Sequence, residues 1–184
     1  CDVHDDVALT AALRGCDAVI NLIGILNERG DDGRGFHAAH VRMAERVVQA
    51  CRATGVRQLL HMGALNATSA APSHYLRSKA QAEAVALAAG GPDLAVTSLR
   101  PSVVFGPGDS FCNRFAALLR LAPPGLFPLA CAGSRFAPVY VGDVAAACLA
   151  VLDRRADTTA YDLCGPRVYT LRELVQYCAD VAAP

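Results

Sequence analysis

Ala18-Val19-Ile20-Asn21-Leu22-Ile23-Gly24-Ile25-Leu26 contains one residue, Asn21, that is neither apolar nor glycine. The run does not alternate, so it does not read as a strand with one wet face. A near-continuous apolar segment of this length is what a strand buried on both faces of a parallel sheet requires. Its neighbours follow a different period. Upstream, Val7, Leu9 and Leu13 predict a helix over Asp6 to Arg14, ended by Gly15. Downstream, a polar, glycine-rich loop (28–35) leads into Val41, Ala44, Val47, Val48 and Cys51, a helical spacing over Phe36 to Thr54 stopped by Gly55. Val56 to Met62 and Leu94 to Val104 repeat the buried-strand pattern, with a helix predicted between them over His74 to Ala89. Strands and helices that alternate over short connections give an α/β fold with a parallel sheet, here read as one domain over 1–184.

The remainder is shorter in grain. A helix over Phe111 to Leu121 precedes a proline-rich loop through Pro128, and Phe136 to Val141 reads as a strand. Asp143 reads as the cap of a helix to Leu152, and Tyr161 to Leu163 as a short strand. Thr170 and Glu173 form a capping-box pattern before the last helix.

Composition narrows the chemistry. The formal net charge is zero, which leaves no basic footprint for nucleic acid. Hydrophobic residues make up 53% and charged residues 18%, as in a globular chain. No apolar run approaches the ~18 residues that span a bilayer. The eight cysteines form no C-x-x-C pair and are read as small buried hydrophobes, with no metal site.

Of the 17 Lys and Arg residues only Lys79 is lysine. A chain that uses arginine everywhere else marks the position where a compact ammonium is needed. Tyr75 precedes it by four, so a helix stacks phenol and ammonium on one face. A phenol titrates near pH ~10, and a neighbouring cation favours its ionised form. Ligands of open parallel sheets bind beyond the carboxyl ends of the strands. There the unusual residues gather: the first strand closes on Asn21 to Gly24, the second on His61-Met62-Gly63-Ala64, and the third on Arg100-Pro101-Ser102-Val103 to Gly108. Plainer readings stand beside these. Asn21 can tie two strand ends, Gly24 and Gly106 can be turn glycines, Arg100 reads as a structural ion pair, and His40 and His61 read as satisfied core histidines.

These strings resemble the short-chain dehydrogenase/reductases, in their extended or atypical branch with a doubly wound Rossmann-type sheet. Tyr75-Leu-Arg-Ser-Lys79 matches that family's Tyr-x-x-x-Lys, Asn21 to Gly24 its motif after the fourth strand, and Arg100-Pro101-Ser102 to Gly108 the segment covering the nicotinamide. Val139 to Ala145 resembles the segment of its small substrate-side part. More narrowly, Asn21 to Leu26, His61 to Leu65 and Arg135 to Asp143 resemble the NAD(P)H-binding accessory subunits of respiratory complex I and their bacterial relatives. The resemblance implies Tyr75 and Lys79 as catalytic residues. It implies Asp2, Val3, Asn21, Gly24, Lys79, Pro101, Ser102 and Val103 around NADP(H) or NAD(H), and complex I subunits as partners. It also implies a bacterial cytoplasmic location, peripheral on the inner membrane, or alternatively the mitochondrial matrix. Two departures follow. The family's first three strands and glycine-rich turn have no counterpart in these residues, so Cys1-Asp2-Val3 aligns with the end of its third strand. Gly63 stands where the family usually has the serine that holds a substrate oxygen, with Ser69 or Ser73 as stand-ins from the loop. One expectation is a cofactor-binding accessory or assembly protein; the other is a working oxidoreductase or sugar-nucleotide epimerase/dehydratase.

Overall fold

The computed structural model describes residues 1–121, 127–154 and 158–182. The proline-rich loop read before Pro128 lies mostly outside them. The chain divides into two compact units, Cys1–Arg100 with Ala147–Asp162, and Pro101–Ala146 with Leu163–Pro184.

The first unit holds a four-stranded sheet in the order β1-β2-β3-β7, built from β1 (Ala18–Asn21), β2 (Gln58–Met62), β3 (Ala95–Pro101) and β7 (Thr159–Leu163). β1 and β2 pair in parallel, as do β2 and β3, in a register that lines up Asn21, His61 and Ser98 across three strands. Asp5 caps α1 (Asp6–Leu13) by accepting the Val7 and Ala8 amides. α2 (Arg34–Phe36) runs through a π-helical segment, His37–Arg42, into α3 (Met43–Thr54). α4 (His74–Ala88) follows β2. The core packs Met43, Val47, Val48 and Cys51 of α3 against Leu9, Val56, Leu59, Leu94 and Val96.

Two expectations change here. The apolar run from Ala18 does not stay extended to Leu26, because β1 ends at Asn21. The Asn21 side-chain oxygen accepts the Ile23 amide at 3.1 Å, and this local turn takes the backbone out of the ladder. Leu22 and Leu26 are then exposed, and β1 forms one edge of the described sheet. The cysteines are also less uniform than the sequence implied. All eight are free, and Cys51, Cys148 and Cys178 are buried, but Cys1, Cys16, Cys131 and Cys164 are exposed because they fall in turns and loops.

In the second unit β4 (Val104–Phe105) pairs in parallel with β6 (Val139–Tyr140), and β5 (Arg135–Phe136) pairs antiparallel with β8 (Tyr169–Thr170). The strand expected over Phe136 to Val141 is thus two short pieces. α5 (Cys112–Leu121) precedes them. α6 (Val141–Arg154) begins before Asp143, which sits in its first turn and is not its cap. α7 (Leu171–Ala182) carries the expected capping box: the Thr170 amide donates to Glu173 at 2.6 Å and the Glu173 amide donates to Thr170 Oγ1 at 3.2 Å. No helix among the described residues is long and apolar enough to cross a membrane.

Candidate functional site

α4 is fixed at its start by Ser73, whose hydroxyl accepts the Leu76 amide, and by Arg77, which donates to the Ala71 and Pro72 carbonyls at 2.7 and 2.8 Å. Ser73 is therefore committed as a cap. From that start the helical repeat sets Tyr75, Lys79 and Glu83 on one face, four residues apart. Lys79 and Glu83 are both buried. The Lys79 ammonium donates to the Met62 carbonyl at the end of β2. Burial pulls its pKa down to about 8, partly opposed by the Glu83 charge. The Tyr75 ring lies edge-on to Phe36 and His40, with centroids 5.8 and 5.6 Å away. Burial pushes its phenol above the usual tyrosine value. Desolvation of the phenol is the cause of that rise, and it opposes the phenolate that a neighbouring cation would favour.

Glu83 organises the ground beneath Gly63. It accepts from Arg100 Nε at 2.8 and 3.0 Å and from the Ser98 hydroxyl, while Arg100 also faces Asp162 at 3.7 Å. Arg100 is the ion pair its plainer reading proposed. Burial pushes the Glu83 carboxyl up, but the hydrogen bonds from Arg100 and Ser98 outweigh it and hold the pKa below the ordinary range. A Cβ on Gly63 would stand 2.9 Å from Ser98 Oγ, 3.1 Å from Glu83 Oε1 and 3.2 Å from Arg100 Cγ. The room a side chain would need is taken.

Asn21 does more than end its strand. With its oxygen committed to Ile23, its amide nitrogen faces His61 Nδ1 at 3.4 Å. That geometry makes Nδ1 the acceptor and leaves the proton on Nε2, which is buried without a partner among the described residues. His61 is therefore not the satisfied core histidine its position implied, since Asn21 reaches only one ring nitrogen. His40 is satisfied at both nitrogens, on Ser78 and Ile25. Burial, with the Lys79 charge beside it, lowers both imidazoles to about 4.

Gly24 lies against His40: a Cβ there would meet the ring at 3.3 and 3.4 Å. The first unit thus gathers Asn21, Gly24, Tyr75 and Lys79 around two buried histidines. Asp2 and Val3 are held by contacts of their own. The Asp2 carboxylate accepts the His4 amide at 2.8 Å in the turn before α1, and Val3 packs on the apolar core. Pro101, the last residue of β3, belongs with Ser102 and Val103 to the second unit. There the Ser102 amide donates to Leu163, its hydroxyl accepts from the Ala137 amide, and the Val103 carbonyl accepts from the Val139 amide. Sequence reading missed Glu83 and Ser98. Glu83 had a signal, since it continues the four-residue spacing of Tyr75 and Lys79; Ser98 had none.

The sequence profile of the NAD dependent epimerase/dehydratase family matches residues 1–164. The chain is 33% identical to the NADH dehydrogenase [ubiquinone] 1 alpha subcomplex subunit 9, mitochondrial, of Arabidopsis thaliana over 98% of its own length and 44% of that protein. The Mus musculus protein of the same name is 32% identical over 96% of the chain and 45% of its own length. The chain therefore spans less than half the length of these curated relatives. A solved structure of MoeE5 in complex with UDP-glucuronic acid and NAD superposes with a TM-score of 0.83 at 22% identity, covering 98% of this chain and 67% of that one. At that identity the likeness concerns the fold.

Proposed function

The chain belongs to the NAD dependent epimerase/dehydratase family, and from that membership we propose that it is part of a dinucleotide-binding accessory or assembly subunit related to respiratory complex I. It holds NADP(H) or NAD(H) without turning over a substrate. Asn21, Gly24 and Lys79 line the nicotinamide side, and the resemblance adds Asp2, Val3, Pro101, Ser102 and Val103. The cofactor, when bound, supplies hydride chemistry; the chain's residues supply its seat. Partnership with complex I subunits carries a location with it, peripheral on a bacterial inner membrane or in the mitochondrial matrix.

One observation carries the non-catalytic reading: the space above Gly63 is filled by Ser98, Glu83 and Arg100. A serine there requires the Ser98 hydroxyl to turn aside and the Glu83–Arg100 pair to give by a few tenths of an ångström. The raised Tyr75 phenol points the same way. A working oxidoreductase remains the second reading because Tyr75 and Lys79 share a helix face. Turnover that is lost in Tyr75→Phe with cofactor affinity intact would establish it. The test of the first reading is to denature the purified full-length protein and analyse the supernatant by mass spectrometry. NADPH or NADH is expected; no dinucleotide in the supernatant, and none bound on titration, would overturn it.

A further inference from the structure

His40 is a buried histidine without a role in the reading above, and it stands in the π-helical segment His37–Arg42. Such wide turns are rare and frequent at functional sites. Here the His40 side chain touches both halves of the site. Ser78 Oγ lies 2.8 Å from the Tyr75 carbonyl and 2.8 Å from His40 Nδ1. Nε2 lies 3.1 Å from both the Ile25 amide and the Ile25 carbonyl, so the ring bonds the loop in either tautomer. The ring also closes on Gly24, stacks on Phe36 at 5.7 Å and meets the Tyr75 ring edge-on. One imidazole therefore bridges the loop after β1 and the first turn of α4, two segments that nothing else in the hydrogen-bonding pattern of the described residues joins directly.

We infer that His40 is a positioning residue: it sets the Gly24-Ile25 loop against the Tyr75–Lys79 face of α4 so that both meet one dinucleotide. The inference rests on the dinucleotide reading. Its two hydrogen bonds can be separated by substitution. Glutamine carries an acceptor near the place of Nε2 and keeps the loop bond; asparagine carries a donor near the place of Nδ1 and keeps the helix bond.

The experiment titrates the full-length protein and its His40→Ala, His40→Gln and His40→Asn variants with NADPH and with NADH, and records a melting temperature for each. Losing the loop bond is expected to weaken affinity about tenfold in His40→Ala and His40→Asn, the scale of one hydrogen bond. His40→Gln should stay within about threefold of the parent. All three should melt at similar, lowered temperatures, because each loses the packed ring. Affinities that simply follow the melting temperatures, or an unaltered His40→Ala, would overturn the inference and leave the dinucleotide reading standing. Should His40→Ala fail to fold, the order of the glutamine and asparagine variants decides alone. A parent protein that binds neither dinucleotide overturns both.

Discussion

α3 and α4 are adjacent helices of one unit, and they bury opposite kinds of side chain. The buried residues of α3 are Met43, Ala44, Val47, Val48, Ala50 and Cys51, all apolar. Those of α4 are Ser78, Lys79, Ala82, Glu83 and Ala86, of which only the alanines are apolar. Apolar burial stabilises by about 25 cal/mol per Å², whereas taking an ammonium and a carboxylate out of water costs several kcal/mol per ion before pairing returns part of it. The α3 region therefore contributes the stability that the α4 region consumes. Buried polar groups arranged at such a cost are a reason to propose the ligand site at this helix.

Acid should break this contrast most strongly. His40 and His61 are held near 4 in the fold against 6.5 for a free imidazole. Because the folded values are depressed, the unfolded chain binds more protons as pH falls below about 6.5, and stability is lost down to about pH 4. The ceiling is roughly 3 kcal/mol for each ring. Urea unfolding at pH 7 and at pH 4.5 measures it; replacing both histidines with glutamine should flatten the difference.

Single substitutions on the two helices should then diverge. Met43→Ala, at a fully buried α3 position, is expected to cost about 3 kcal/mol through lost contacts and a residual cavity. Lys79→Met, of similar length, is expected to change stability by less than about 1 kcal/mol or to raise it, since it removes a buried charge, while abolishing dinucleotide binding. Denaturant midpoints for the pair give the comparison directly, and equal losses would erase the distinction drawn between the helices.

Gly63→Ser should fall between these two in its effect on folding, a loss of about 1–3 kcal/mol from overpacking, with no turnover gained. Activity appearing in this variant would show that a missing hydroxyl, and not the Glu83 cluster, silences the site.

Much of this was legible in the chain. The alternation of buried runs with helical periods gave the sheet and its helices, and Tyr75 with Lys79 announced itself through the one lysine. Thr170 and Glu173 announced their capping box because the whole motif is local. What escaped was non-local or required geometry. Apolar patterning cannot register that Asn21 turns its side chain onto Ile23 and stops the strand. No spacing rule links His40 to Ser78, thirty-eight positions on. Gly63 looked like a lost side chain until Ser98, Glu83 and Arg100, from two other elements, were found in the space it leaves.

Lys79 offers the most direct measurement. With lysine labelled at 13Cε in the full-length protein, its resonance is the one that vanishes in Lys79→Arg, and it can be followed against pH with and without NADPH or NADH. The amine should titrate at about 8, well below the 10.5 of a free lysine, and its resonance should move saturably when the dinucleotide is added. A Lys79 signal that titrates near 10.5 and ignores both dinucleotides would contradict the placement of a cofactor site at this end of α4.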